Sequence, residues 1–195
     1  VSCATISTHL EGVNIEHYFD IENNPFKSIK FDFIVLDSTV IQKDEFEKFL
    51  ADNDLHYNLE WRNNNGVHEL MAKFSTGKKT SFVSIASTGT MSLFLYFIWS
   101  ITAFDKISFL FIDEFDAFFH YESAENIVLR LNKNKNFQTL LTSHNTYLMQ
   151  NKLTRPDCCY IMTANRISSL FNSTAKEIRE AHNLEKMYIN GAFNE

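Results

Sequence analysis

The first part of the chain alternates apolar and polar residues over short segments, a pattern typical of antiparallel strands with one exposed face. Residues 56–62 and 69–75 alternate in this way, and the Asn-Asn-Asn-Gly stretch at 63–66 is a strong turn signal. We therefore predict a hairpin here. The other elements predicted in this part are strands over residues 30–38 and 81–85 and an amphipathic helix over residues 44–53.

Longer apolar segments begin near Ser87. Residues 107–112 (Ile-Ser-Phe-Leu-Phe-Ile) are apolar or small without alternation, which predicts a strand buried on both faces of a parallel sheet. Residues 139–142 and 158–162 predict a second and a third strand of that sheet. Helices are predicted over residues 92–104 and 123–131, the latter with Ile127, Val128 and Leu131 facing inward.

The order of strand, helix and strand predicts a right-handed crossover and hence an α/β fold. We expect a parallel sheet flanked by helices in residues 86–195, preceded by an antiparallel, loop-rich part in residues 1–85, with both parts in one compact unit. The longest apolar stretch spans residues 91–104. A membrane span needs about 20 residues, so we expect no membrane partner.

Charge and cysteine content narrow the class of protein. The formal net charge is −6, and phosphate binding needs clustered Lys and Arg, so a nucleic acid partner is not indicated. The chain has three cysteines, and two of them, Cys158 and Cys159, are adjacent. Neighbouring cysteines rarely form a disulfide, because its geometry would be strained. This pattern predicts a reduced, cytoplasmic protein.

Two adjacent carboxylates, Asp113 and Glu114, directly follow the first apolar strand. Ligands bind at the carboxyl ends of strands in open α/β sheets. A carboxylate there can hold Mg²⁺, and its neighbour can deprotonate a water molecule, which is the Walker B pattern. His144 follows the next strand, so parallel pairing would place it beside Glu114. Taken alone, the pair fits equally well two solvated acids at a strand end.

A third candidate feature is the Ser-Thr-Gly-Thr stretch at residues 87–90, here called the signature segment. It precedes a predicted helix, and small residues at a helix N-terminus leave backbone N–H groups available to an anion. Ser87 is also a plausible N-cap. Both interpretations remain open from the sequence.

Taken in order, these three motifs resemble the C-terminal half of an ABC-type ATPase head. The resemblance is to stand-alone bacterial AAA ATPases of the OLD and abortive-infection type, relatives of the SMC and RecF heads. It covers roughly residues 69–195. Further matches are the Asp-Glu-x-x-x-x-Phe-His stretch at 113–120, Arg155-Pro156-Asp157, and the closing residues 184–193.

The resemblance implies ATP and Mg²⁺ as cofactors and gives each matched residue a role. Asp113 would help to hold Mg²⁺, Glu114 would activate water, and His144 would sense the γ-phosphate. Such heads work as head-to-tail homodimers bridged by nucleotide. The remaining residues would act across that interface: Ser87, Gly89 and Thr90 on ATP bound to the second protomer, and Asp116 and His120 in the loop that crosses to it.

The chain departs from the family because it lacks a P-loop of the form G-x-x-x-x-G-K-[ST], and the Q-loop glutamine is not identifiable either. The nearest match, residues 77–80, has Lys after the Gly-Lys pair and Ala72 at the first glycine position. It is better interpreted as a hairpin turn. Because the P-loop of this family lies well upstream and the chain begins with Val, we expect a fragment that is inactive on its own.

We therefore predict the C-terminal part of an ATP-hydrolysing, ATP-dependently dimerising ATPase. Phage defence and a nuclease or effector partner follow only from the resemblance. Two alternatives remain. The chain could be a catalytically inactive dimerisation or interaction module, for which Glu114→Gln would change nothing. It could also be a fragment of a DExD-type helicase, for which ATP hydrolysis would depend on nucleic acid.

Overall fold

A computed structural model describes residues 8–10, 13–15, 41–64, 67–179 and 181–193 of the 195-residue chain. The chain divides into two units. One comprises Val1–Phe49 and His56–Ile85, and the other comprises Leu50–Leu55 and Ala86–Glu195. The strand predicted over residues 30–38 lies outside the described residues. The expected packing of residues 1–85 and 86–195 as one unit stays a prediction.

The first unit is built from antiparallel strands. β3 and β4 form the predicted hairpin, with Asn64 opposite Val67, and β5 pairs with β4 on its other side. Its elements are β1 (Thr8–Leu10), β2 (Val13–Ile15), α1 (Lys43–Ala51, which continues into the second unit), β3 (Leu59–Asn64), β4 (Val67–Lys73), β5 (Lys79–Ser81) and α2 (Phe82–Ile85).

The strand predicted over residues 81–85 is wrong, because β5 ends at Ser81 and a short helix follows. Phe82 is fully buried and packs edge-on against two rings, with centroids 5.5 Å away for Phe46 and 5.2 Å for Tyr57. Burial of this one ring outweighs the β-propensity of Val83 and Ile85, which remain exposed.

The nearest P-loop match is a hairpin turn, as the sequence predicts. The N–H of Gly77 donates to the carbonyl of Phe74, and the N–H of Phe74 donates to the carbonyl of Lys78, each at 2.9 Å. Gly77 has φ +82°, a conformation that glycine adopts without steric cost. Residues 74–78 therefore connect β4 to β5, and residues 77–80 lead from this turn into β5 and not from a strand into a helix.

The second unit contains a parallel strand pair and its crossover helix. β6 and β7 pair in parallel, with Ile112 opposite Leu141, and α4 connects them. Its elements are α3 (Thr88–Thr102), β6 (Phe109–Ile112), α4 (Tyr121–Lys133), β7 (Gln138–Leu141), β8 (Tyr160–Met162), β9 (Ile167–Ser169), α5 (Leu184–Ile189) and 3₁₀ turns at Thr146–Leu148 and Leu170–Asn172.

The core of this unit lies along its two long helices. Leu93, Phe94 and Phe97 of α3 are buried, and Ile127, Val128 and Leu131 of α4 are buried as predicted. Burial also raises the pKa of Tyr96 on α3 to about 12. No helix in the described part of the chain is long and apolar enough to cross a bilayer.

Two predictions about the sheet are wrong. Residues 158–162 do not add a third parallel strand, because β8 pairs antiparallel with β9 through a tight turn in which the N–H of Thr163 donates to the carbonyl of Arg166. Local hairpin pairing replaces the long-range pairing. Residues 107–112 are not buried on both faces, since Phe109 and Phe111 are exposed. Among the described residues the parallel sheet has two strands.

Candidate functional site

Glu114 and His144 meet at one edge of the parallel pair. β6 ends at Ile112 and β7 ends at Leu141, and their parallel direction brings the residues that follow to the same edge. His144 Nε2 lies 3.4 Å from Glu114 Oε1. This contact confirms the predicted proximity. Both side chains are open to solvent, His144 to 91% and Glu114 to 51%.

Asp113 is held by the strand next to it. The hydroxyl of Thr142 donates a hydrogen bond to Asp113 Oδ1, and the same hydroxyl oxygen accepts the backbone N–H of Glu114 at 2.8 Å. The sequence places Thr142 only at the end of the second predicted strand and indicates no role for it. The signal that could have found it is a hydroxyl residue one position past a strand whose parallel neighbour ends in two carboxylates.

The backbone of Glu114 is strained. Its φ is +45°, in the left-handed region that residues with a Cβ seldom adopt. Such a conformation costs about 1–3 kcal/mol and persists only where surrounding contacts impose it. Among the described non-glycine residues, the only other positive φ is at Asp54. Strain of this kind is concentrated at functional sites.

The signature segment forms the start of α3. Ser87 is the N-cap, and its Oγ accepts the N–H of Thr90 at 3.1 Å and lies 2.9 Å from the Thr90 hydroxyl. The N-cap interpretation of Ser87 is confirmed. Thr90 is buried, whereas Ser87 is exposed. The Thr90 hydroxyl is thus engaged within the segment, and Ser87 is the side chain of the pair that faces solvent.

Ser87→Ala is expected to lower the free energy of unfolding by about 1 kcal/mol, because the N–H of Thr90 loses its side-chain acceptor. Urea denaturation monitored by circular dichroism measures this. Ser84→Ala, an exposed position of α2, is the matched control. Equal stability of the two variants would show that the cap contributes nothing.

Gly89 brings the start of α3 against the loop that follows Glu114. A Cβ on Gly89 would lie 2.5 Å from the backbone oxygen of Phe118, closer than atoms can approach. The signature segment therefore contacts the loop at Phe118, four residues after Glu114. The atoms nearest to Gly89 there belong to the backbone of the loop.

Asp116 and His120 lie in and after this loop. Asp116 is half-buried, and its carbonyl accepts the N–H of Phe119 at 3.0 Å. His120 is the residue before α4, is exposed, and makes no capping hydrogen bond through its side chain. In the described residues, no hydrogen bond or ion pair joins either side chain to Asp113, Glu114 or His144. Their predicted places at an interface stay predictions.

The same unit contains an aromatic pair and an ion pair. Tyr121 and Tyr147 are both exposed, with ring centroids 5.6 Å apart. A hydrogen bond between Tyr121 and Glu122 raises the pKa of the phenol and lowers the pKa of the carboxyl. In the Arg-Pro-Asp stretch, Arg155 Nε donates to Asp157 Oδ1 at 2.9 Å, which lowers the pKa of Asp157.

The donor set suits a cation shared with a nucleotide. Among the described residues, no group of three or more His, Cys, Asp or Glu side chains could enclose a metal ion. Mg²⁺ bound to nucleotides usually takes one or two carboxylates and completes its shell with water and phosphate oxygens. Asp113, held at the sheet edge by Thr142, meets that requirement.

A sequence comparison identifies the family. The model of an AAA domain family, described as a putative AbiEii toxin of a type IV toxin–antitoxin system, matches residues 12–150. The chain belongs to this AAA domain family. The match confirms the resemblance to ATPase domains of the abortive-infection type. With the parallel pair and its crossover helix, it makes the fold an α/β fold of the P-loop NTPase type.

The other comparisons do not extend this family assignment. No curated protein matches the chain. A solved structure described as "Structural biochemistry of ATP-driven dimerization and DNA stimulated activation of SMC ATPases" aligns with a TM-score of 0.49 and 14% sequence identity. The alignment covers 78% of this chain and 90% of that one.

Proposed function

We propose that this AAA-family domain is the C-terminal part of an ATPase that binds and hydrolyses ATP and dimerises on the nucleotide. The observation that carries the proposal is the strained Glu114, 3.4 Å from His144 and adjacent to Asp113, at the carboxyl edge of a parallel strand pair. Nucleotide-binding α/β proteins place their ligands at this edge.

Each side chain at the edge has one part in the proposed reaction. Glu114 accepts the proton of the attacking water, and its exposed carboxylate oxygen can reach a solvent molecule. His144, beside it, donates to a γ-phosphate oxygen or to that water. Asp113 holds Mg²⁺. When bound, the ion neutralises charge on the phosphate oxygens during transfer. A P-loop from another segment cradles the phosphates.

Dimerisation accounts for the openness of this edge. Hydrolytic sites usually exclude bulk water, which strengthens their electrostatic interactions. Glu114 and His144 are both solvent-exposed, so a partner surface must cover them before they meet that condition. The signature segment supplies such a surface in the proposal, through the exposed Ser87 and the backbone of Gly89. Thr90 supports it from inside by its contact with Ser87.

The test is phosphate release together with molar mass, both measured on the intact protein. We expect hydrolysis of Mg-ATP and a shift from monomer to dimer in light scattering when Mg-ATP is added. ADP serves as the control nucleotide, because it lacks the γ-phosphate that would bridge the protomers. Hydrolysis by a protein that remains monomeric in Mg-ATP would overturn the proposed dimerisation. Absence of both ATP binding and hydrolysis would overturn the ATPase assignment.

One observation favours a second candidate, an inactive module used for dimerisation or partner binding. The 195 residues contain no P-loop, and residues 77–80 form a hairpin turn. Such a module would keep its oligomeric state without ATP and would not respond to changes at Glu114. Action in phage defence, with a nuclease or effector as partner, is part of our proposal and follows only from the resemblance to ATPases of the abortive-infection type.

A further inference from the structure

The end of β6 contains one residue more than a regular parallel ladder allows. The N–H of Thr142 donates to the carbonyl of Ile112 at 3.1 Å, as a regular ladder requires. The carbonyl of Thr142 should then accept the N–H of Glu114. It accepts the N–H of Phe115 at 3.1 Å instead. The chain therefore bulges at Asp113 and Glu114, and bulges are common next to active sites, where they redirect side chains.

The side chain of Thr142 closes this bulge. The N–H of Glu114, displaced from the ladder, donates to Thr142 Oγ1 at 2.8 Å. The hydroxyl proton in turn goes to Asp113 Oδ1. A hydroxyl has one proton and two lone pairs, so one group satisfies both neighbours without conflict. The positive φ of Glu114 belongs to the same distortion.

We propose that Thr142 is a positioning residue whose hydroxyl holds Asp113 and Glu114 in the geometry needed for Mg²⁺ binding and water activation. This inference rests on the proposed ATPase function. Without the hydroxyl, Asp113 loses the donor that fixes its carboxylate. The Glu114 N–H loses its acceptor. Because that hydrogen bond helps to hold the strained backbone, the backbone can then relax. Glu114 would then leave its position beside His144.

The decisive comparison is Thr142→Val against Thr142→Ser in the intact protein. Valine keeps the shape and removes the hydroxyl, whereas serine keeps the hydroxyl. Loss of a group that orients a metal-binding or catalytic side chain typically lowers metal affinity or activity about 10- to 100-fold. We expect a loss of about 10- to 100-fold in kcat for Thr142→Val and restoration by Thr142→Ser. Thr139→Val, opposite Leu110 on the same strand pair, is the control.

Two measurements do not depend on turnover. Mn²⁺ titration in the presence of a non-hydrolysable ATP analogue, followed by electron paramagnetic resonance, should show about 10-fold weaker ion binding in Thr142→Val. Amide hydrogen exchange followed by NMR should show faster exchange at the Glu114 N–H in Thr142→Val and protection in wild type and Thr142→Ser. If the valine variant does not fold, Thr142→Ala replaces it.

The outcomes separate the two proposals. Turnover and Mn²⁺ affinity of Thr142→Val within about 2-fold of wild type would overturn the positioning role. So would equal loss in the serine and valine variants, because that would implicate the methyl group and not the hydroxyl. If the wild-type protein itself fails to bind and hydrolyse ATP, the ATPase assignment fails. In that case unchanged exchange at the Glu114 amide would also remove the structural basis of the inference.

Discussion

Glu114→Gln in the intact protein is expected to lower kcat for ATP hydrolysis by about 10²- to 10⁴-fold, the contribution usual for a general base. Glutamine has nearly the same shape but cannot accept the proton of the attacking water. ATP binding should persist, because the proposal assigns Mg²⁺ to Asp113 and the phosphates to a P-loop. Steady-state phosphate release and fluorescence titration with a labelled ATP analogue measure the two quantities separately.

The same variant tests dimerisation. If hydrolysis resolves the nucleotide-bridged dimer, Glu114→Gln should remain dimeric in Mg-ATP while the wild-type protein returns to monomer. Glu45→Gln, an exposed glutamate in the first turn of α1, makes the same chemical change in the other unit. Turnover at the wild-type rate in Glu114→Gln would remove Glu114 from the chemistry and favour either another base or the inactive module.

The residues of this edge could be predicted because the order and direction of the strands determine which strand ends lie side by side. Two consecutive apolar strands joined by a helix pair in parallel, so Asp113, Glu114 and His144 were expected at one edge, and Glu114 and His144 lie in contact. The bulge could not be predicted. It depends on one displaced backbone hydrogen bond and on the φ of Glu114, and neither leaves a periodic signal in the sequence.

Two errors in the fold prediction have different causes, one in the choice of a strand partner and one in the burial of a single ring. The hairpin of β3 and β4 was predictable because its turn residues are local. Residues 158–162 have the composition of a buried strand, but β8 pairs instead with β9 only a few residues later. At residues 81–85, burial of Phe82 decided the conformation. Composition does not reveal with which strand a segment will pair or against which ring a side chain will pack.

Gly89→Ala is expected to destabilise the protein, against the usual sign of this substitution. Alanine normally stabilises a helix by about 0.5–1 kcal/mol relative to glycine. Here the new Cβ would lie 2.5 Å from the carbonyl oxygen of Phe118. Because that oxygen belongs to the backbone, the loop or the helix must shift, and such overpacking costs about 1–3 kcal/mol. Urea denaturation of the purified variant measures the free energy of unfolding.

The displaced loop also predicts a loss of activity at temperatures where the variant is still folded. Phe118 is four residues after Glu114, so a shift there would move the carboxylate away from His144. Thr88→Ala, an exposed neighbour in the same turn of α3, is the control and should change stability by no more than about 0.5 kcal/mol. A Gly89→Ala variant more stable than wild type would show that α3 and the loop do not approach as closely as Gly89 allows. Normal stability with reduced turnover would instead locate the effect at the ATP-bridged interface, where the signature segment would meet the nucleotide of the second protomer.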